Sequence, residues 1–428
     1  MGDLHIENFG AFDLDDGTIV YELNDFDEST VTVNAGHVHD VVKLAASVIL
    51  ASTEMKVSAS TARALAERIA GEYADAVQEY AKAPKSLPDE TFWTASKKTD
   101  GKLKSFLESA SKASAKDARK AMLDKFTVKA SGVRKFKANS PDLRVLTSSV
   151  ERARVTKAVT EYVKTVESGL ATSNPKFFEI VDIAVRLFAG TGSQGKLRYY
   201  VLVRGASSDA DAGVILDVKM QGEWPAPLLF ATEAERAAHR ALFANEGLRH
   251  AVAYKAHGSA VDDTLGYAQI VVDAINGTAP FWFSVRQRSP FKATFPYAEL
   301  KDDTSDWEDM CDEWAQILAT HHCRADSRFR DGQFAKHNFA VALDALVSGQ
   351  MDSFVRDIAD LAQLTADTAK KDYVVFKRDN GVTAQARMEL DEPQPEVVGD
   401  DEATVASSAH QSVVSLACMG LTMLSLLK

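Results

Sequence analysis

Residues 178–203 read FEIVDIAVRLFAGTGSQGKLRYYVLV, and the order of textures within them separates two quite different folds. Phe178 to Leu187 is an apolar, strand-like run, and Leu197 to Val203 is a second one, rich in aromatic and β-branched residues. Between them lies Gly190-Thr191-Gly192-Ser193-Gln194-Gly195, a GxGxxG loop. A dinucleotide-binding fold needs a helix directly after such a loop, because the pyrophosphate rests on the helix N-terminus. Strand, glycine loop, strand instead builds a flexible hairpin that can lie over a triphosphate. A turn-rich stretch from Gly205 to Gly213 leads into a third strand, Val214 to Lys219. Alternation places Val214, Leu216 and Val218 on one face and Lys219 on the other, where an ammonium reaches α- and β-phosphates. A GxGxxG loop also serves ordinary turns, and a lysine at a strand end is often a surface residue. Their combination points to nucleotide binding.

A second constellation opens the chain: Gly2-Asp3-Leu4-His5-Ile6-Glu7-Asn8-Phe9-Gly10, then Asn24-Asp25-Phe26-Asp27-Glu28. Asp3 precedes Asn8 by five positions, the spacing of the base aspartate and metal-binding asparagine in a protein-kinase catalytic loop. One side chain must face the acceptor hydroxyl while the other reaches Mg²⁺ on the phosphate side of the same short loop. Asp15-Asp16-Gly17 is a hairpin turn ahead of the strand-like Thr18 to Leu23, and a short hairpin is what separates that loop from the metal-binding aspartate of a DFG motif. Asp25-Phe26 stands for its first two residues, with Asp27 in place of glycine. So much negative charge beside apolar Leu23 and Phe26 is relieved by a hard divalent cation.

Gly2-Asp3-Leu4-His5 with Asn8 resembles the GDxHxxN segment of aminoglycoside phosphotransferases and choline kinases. The longer strings GDLHIENFG and ELNDFDE resemble the bacterial domain of unknown function 2252 family. Similarity to that family continues through His39-Asp40, Lys43 to Ser47, Gly190 to Gly195, Val218-Lys219, Leu265-Gly266, Val285-Arg286-Gln287 and Asp372-Tyr373. The resemblance implies that Asp40 anchors the catalytic loop from a helix start. It implies as well that Leu318 to His322 belongs to the helix that elsewhere immediately precedes that loop. The expected fold is then α+β and protein-kinase-like, two-lobed and circularly permuted, with a small antiparallel-sheet nucleotide lobe and a larger helical lobe. Relatives carry a long segment before the motif that Met1 abuts here, which points to an N-terminal truncation. They also carry a glutamate at the position of Val252, so the partner of Lys219 is open between Glu246 and Glu235.

These roles predict ATP and Mg²⁺ as cofactors and transfer of the γ-phosphate to a hydroxyl acceptor. Gly190, Gly192, Ser193 and Gly195 would cover the phosphates, Lys219 would neutralise them, and Asn8, Asp25 and Asp27 would hold Mg²⁺. Asp3 would serve as catalytic base, with His5 steadying the γ-phosphate, as the relatives' basic residue at that position implies. Arg286 and Gln287 fall near the expected hinge. A nucleotide-binding pseudokinase and an AMP transferase using inverted ATP are the alternatives. The acceptor stays open between small hydroxylated molecules and proteins. Asp3-Leu4-His5 with Gly36 to His39 also looks like metallophosphoesterase fragments, but the further His and Asp motifs are missing. His321-His322-Cys323 lacks a partner pair at zinc spacing, and no nucleophile elbow is present.

The chain of 428 residues, 46% hydrophobic and 26% charged, with mean hydropathy −0.17, has the texture of a soluble globular chain. A formal net charge of −12 argues against nucleic acid and anionic membranes as partners. Three scattered cysteines and an N-terminus without a signal point to the cytoplasm. Texture divides the chain into a catalytic-loop and metal-loop part at 1–83, a basic helical segment at 84–174 and a nucleotide-binding lobe at 175–290. A helical remainder at 291–388 and an acidic linker with an apolar tail at 389–428 follow.

Overall fold

A computed structural model describes residues 1–379 apart from 15, 32–35, 84–85, 115–117, 188–194, 223–231, 260, 275–276 and 329–338. The first third holds β1 (Phe9–Asp13), β2 (Ile19–Leu23), α1 (Gly36–Glu54), α2 (Ala59–Lys82), α3 (Leu87–Glu90), α4 (Gly101–Ser114), α5 (Ala118–Phe126), β3 (Thr127–Ala130), β4 (Val133–Phe136) and β5 (Leu143–Val145). The middle holds α6 (Ser149–Tyr162), α7 (Leu170–Ser173), β6 (Ile180–Arg186), β7 (Arg198–Val203), β8 (Val214–Met220), α8 (Glu233–Arg240), α9 (Glu246–His257), β9 (Gly266–Ala274) and β10 (Gly277–Gln287). After β11 (Lys292–Thr294) come α10 (Thr304–Arg328), α11 (Phe339–Val347) and α12 (Met351–Asp379). The fold class is α+β.

Six strands form one sheet in the order β5-β6-β7-β8-β10-β9, every neighbouring pair antiparallel. Alternation gives it two apolar faces. Val201, Val203, Val214, Leu216 and Val218 pack with Val155, Val159 and Tyr162 of α6. Tyr200, Leu202 and Ile215 pack on the other face with Met122, Leu123 and Phe126 of α5. That second cover stops at Ile215, so Asp217 and Lys219, of the same parity, extend beyond it. The segment 84–174, expected to be helical, also supplies the β3–β4 hairpin and edge strand β5, and its Arg134 is buried between Asp124 and Asp211, both at 2.6 Å, rather than solvated.

The larger core lies among the helices and joins both ends of the described chain. α10 packs on α2, and α12 packs on α1 and α2, burying Trp307, Trp314, Ile317 and Leu318 together with Leu4, Phe9 and Tyr21. The β1–β2 hairpin turns at Gly17, whose φ of +82° suits glycine, and β11 completes a three-stranded sheet on β1. Glu22 of β2 is fully buried, and Arg324 of α10, equally buried, donates to it at 3.4 Å. No helix among the described residues is long and apolar enough to cross a membrane. The acidic linker and tail, 389–428, lie outside the described residues.

Candidate functional site

The start of the chain is tied down by one polar face of α1. His39, Asp40 and Lys43 occupy neighbouring positions on that helix, and all three hold the loop that carries Asp3. Asp40 accepts from the backbone nitrogens of Met1 at 2.7 Å and Gly2 at 3.1 Å, and from His322 Nε2 of α10 at 3.0 Å. His39 Nε2 lies 3.2 Å from the Gly2 carbonyl, and Lys43 Nζ donates to the same oxygen at 3.1 Å. Gly2 has φ +85°, and a Cβ there would lie 2.4 Å from the Glu28 carbonyl oxygen. Only glycine therefore lets the Asp3 loop and the Glu28 loop approach this closely.

Lys43 Nζ donates to Asp3 Oδ1 at 2.7 Å. Burial on its own would raise the Asp3 carboxyl, but Lys43, His5 and His39 outweigh it and leave it below its ordinary value. Asp3 is therefore an anion at neutral pH. Burial pushes His5 down more than Asp3 and Asp25 pull it up, so its ring is neutral there. His5 Nδ1 accepts from Glu7 N at 3.3 Å, while Asn8 Oδ1 accepts from His5 N at 2.8 Å. This capping box, with Asn24 N donating to Asn8 O at 2.9 Å, joins the Asp3 loop to the acidic loop.

In the acidic loop, one oxygen each of Asp25, Asp27 and Glu28 lies within 4.8 Å of the others. Burial and the charges of Asp27 and Asp25 push Glu28 up to about 7, the mark of an excess of negative charge around it. Lys196, directly after Gly195, answers part of it from 3.6 Å. The donor set suits a hard divalent cation, which takes carboxylate oxygens at roughly 2.0–2.6 Å. Among the described residues it is the one group of acidic, His or Cys side chains so arranged. Asn8 is linked to that loop through the Asn24 N to Asn8 O bond, but its side-chain oxygen already accepts from His5 N. His321-His322-Cys323 does not form such a group: His321 is fully buried, and His322 bonds Tyr73 at 2.7 Å and Asp40.

Lys219 crosses from the sheet to this loop and pairs with Asp27 through a short hydrogen bond. Burial opposes the Lys219 charge, yet Asp27 and Asp25 hold its ammonium above the ordinary value. Burial likewise opposes the Asp27 carboxylate, but Lys219 and His250 hold it well below. Gln221 Nε2 adds a bond to Asp27 at 3.1 Å. The partner left open between Glu246 and Glu235 is thus Asp27: Glu246 pairs with Arg249 at 2.5 Å, and the Glu235 side chain lies outside the described residues. Arg249 of α9 also donates to the carbonyls of Asp27, at 2.7 Å, and Ser29. Gly190, Gly192 and Ser193 fall outside the described residues, while Gly195 has φ +75° at the foot of β7.

Asp3, His5, Asn8, Asp25, Asp27 and Lys219 are thereby brought into one neighbourhood, together with Lys43, Glu28, Lys196 and Arg249, which carried no assigned role. The signal for Lys43 was a polar i, i+4 pair with His39 at the start of a long apolar run in that helix. Residues 1–379 match the family model described as an uncharacterized protein conserved in bacteria (DUF2252). No curated protein and no solved structure matches the chain.

Proposed function

The chain belongs to the bacterial DUF2252 family, a membership that carries no reaction with it, and from the geometry of the site we propose a Mg²⁺- and ATP-dependent phosphotransferase acting on a hydroxyl acceptor. The observation that carries this reading is the meeting of Lys219, at the end of a sheet strand, with the Asp25-Phe26-Asp27 loop, next to an Asp3 loop anchored by Asp40. A protein-kinase-like, circularly permuted arrangement of two lobes accounts for that meeting. Phe26, buried edge-on against Tyr254 of α9 at 4.6 Å, sits as the middle residue of a DFG motif would.

Asp3 orients the acceptor hydroxyl and takes its proton as the oxygen displaces ADP from the γ-phosphate. Lys43 keeps Asp3 ionised and aimed. Lys219 exchanges Asp27 for the α- and β-phosphates, and the glycine loop that ends at Gly195 is assigned to the phosphates by its sequence. Asp25, Asp27 and Glu28, with Asn8 beside them, would hold Mg²⁺, which supplies charge neutralisation at the transferred group.

Incubation with γ- and α-labelled ATP plus a metabolite extract tests the reading. Label passing from the γ position supports it, and label passing only from the α position replaces it with AMP transfer. Absence of both, with nucleotide still bound, leaves a pseudokinase. ATP should raise the melting temperature more with Mg²⁺ than without. If Lys219→Ala and Asp25→Ala fold normally and keep that gain in full, the site assignment fails.

A further inference from the structure

A cavity of about 380 Å³ opens between the Asp217 face of the six-stranded sheet and the β1–β2 hairpin, within the roughly 300–1,000 Å³ range of small-molecule sites. In a chain of formal charge −12, its wall carries Arg186, Arg198, Arg286, Arg288 and Lys292. Arg198 is paired with Asp217 and Arg186 with Asp142, the latter at 3.0 Å. For Arg286, Arg288 and Lys292, the described residues offer no carboxylate oxygen within 4 Å.

Two of these cations are held in place without being neutralised. The Arg286 guanidinium lies 5.2 Å from the centre of the Tyr254 ring, and that of Arg288 lies 4.9 Å from Phe126 while donating to Tyr200 Oη at 3.2 Å. Ring stacking fixes a guanidinium while sparing N–H groups; in Arg288, Nη1 also donates to the Ser289 carbonyl at 3.1 Å, and Nη2 has no partner among the described residues. The wall's own carboxylates are committed elsewhere. Asp13 accepts from Ser289 Oγ at 2.7 Å and Phe291 N at 3.2 Å, and Asp262 accepts from Gln287 N at 2.6 Å and Thr264 N at 2.7 Å. Lys292, on β11, keeps an exposed side chain beside Arg286 and Arg198, and an anion in the cavity would relieve the mutual repulsion of these cations.

We propose that this cavity binds a phosphate-bearing small molecule of at least two negative charges, held by Arg286, Arg288 and Lys292. Fixed guanidinium forks beside an ammonium match several phosphate oxygens at once. Asn24 lines the cavity and its neighbour Asp25 belongs to the carboxylate cluster, so the occupant sits against the cluster on the side of Lys292. The phosphates come either from a nucleotide lying end for end relative to the reading above, or from a second, phosphorylated ligand. The binding site itself rests on neither.

Pyrophosphate, titrated calorimetrically into the full chain without Mg²⁺ or nucleotide, is the probe. It should bind, and Lys292→Met and Arg288→Met should each weaken it at least tenfold, whereas Lys164→Met, at an exposed lysine of neither site, should change it less than threefold. The Lys292 side chain has no hydrogen-bond partner among the described residues, so its variant remains informative even if Arg288→Met misfolds. Absence of pyrophosphate binding overturns the proposal, as does binding lost in Lys219→Met but kept in folded Lys292→Met. Competition with Mg-ATP then identifies the source: mutual exclusion means the nucleotide's own phosphates, and simultaneous binding means a second ligand. Loss of phosphotransfer with pyrophosphate binding intact would remove the proposed reaction and leave this site standing.

Discussion

Asp3 and Lys43 are tested as a pair, because they have different jobs in one bond. Asp3→Asn should keep nucleotide affinity and lose turnover by about 10²- to 10⁴-fold, as expected for removal of a general base; equal turnover in a labelled-phosphate assay would reject the assignment. Lys43 lowers the Asp3 carboxyl, so Lys43→Met should let that carboxyl rise, and the acid limb of the pH–rate profile should move to higher pH. A merely structural lysine would reduce the rate without moving the limb. Asp3, Asn8, Asp25 and Lys219 were legible in the sequence because a short loop imposes their spacing, or a strand their parity. Lys43 and Asp3 are 40 residues apart, and Lys219 and Asp27 are 192 apart, so no local period could disclose that they pair. Arg286, Arg288 and Lys292 lie close in sequence, yet their convergence on one cavity was hidden because Arg286 and Lys292 belong to different sheets.

The element that sets the acidic loop is α9, and its instrument is a buried arginine. Arg249 is 2% exposed and serves Glu246 and two carbonyls of the loop. Arg249→Met should therefore strand three acceptors and cost about 3 kcal/mol, read as a lower melting temperature. Mg²⁺ should lose affinity in the same variant, because the loop carrying Asp27 and Glu28 is no longer fixed from behind. An unchanged melting temperature would show that the loop holds itself. Strands β6, β7 and β8 could be foreseen from alternation and β-branched composition. The β3–β4 hairpin and β5 could not, because their few residues sit in lysine-rich text where charge masks a period of two. Gly10 illustrates a constraint that composition conceals: a Cβ there would lie 2.4 Å from Asn24 Nδ2 and 3.0 Å from the Ala293 carbonyl. That contact keeps β11, and hence Lys292, against the loop of Asp25.

Across the whole molecule, acid should be more damaging than base. Burial holds His250 and His257 down to about 3 and His37 down to about 4. A folded-state value below the unfolded one gives stability that is complete above about 6.5 and lost as pH falls toward those values, on the order of 2 kcal/mol for each of the two lowest at pH 5. Glu7, Glu28 and Glu313, raised to about 7, and Asp262, raised to about 6, act in the opposite sense, favouring the folded chain as pH falls from 7 toward about 4. His5, His39, His321 and His322 are lowered too, so the two sets nearly offset each other down to about pH 4.5, below which the carboxyl gain is complete and the histidine loss continues. The melting temperature should therefore change little from pH 7 to pH 5 and fall below about pH 4.5; a steep fall already complete at pH 5 would contradict this balance. The burial of Glu22 against Arg324 bears finally on synthesis at the ribosome. The two residues are 302 positions apart, so at about 5–20 residues per second Glu22 waits roughly 15–60 s before its cation exists. Through that interval the nascent β1–β2 hairpin cannot bury its carboxylate in a finished core, and the half of the protein that carries the Asp3 and Asp27 loops, though made first, is completed last.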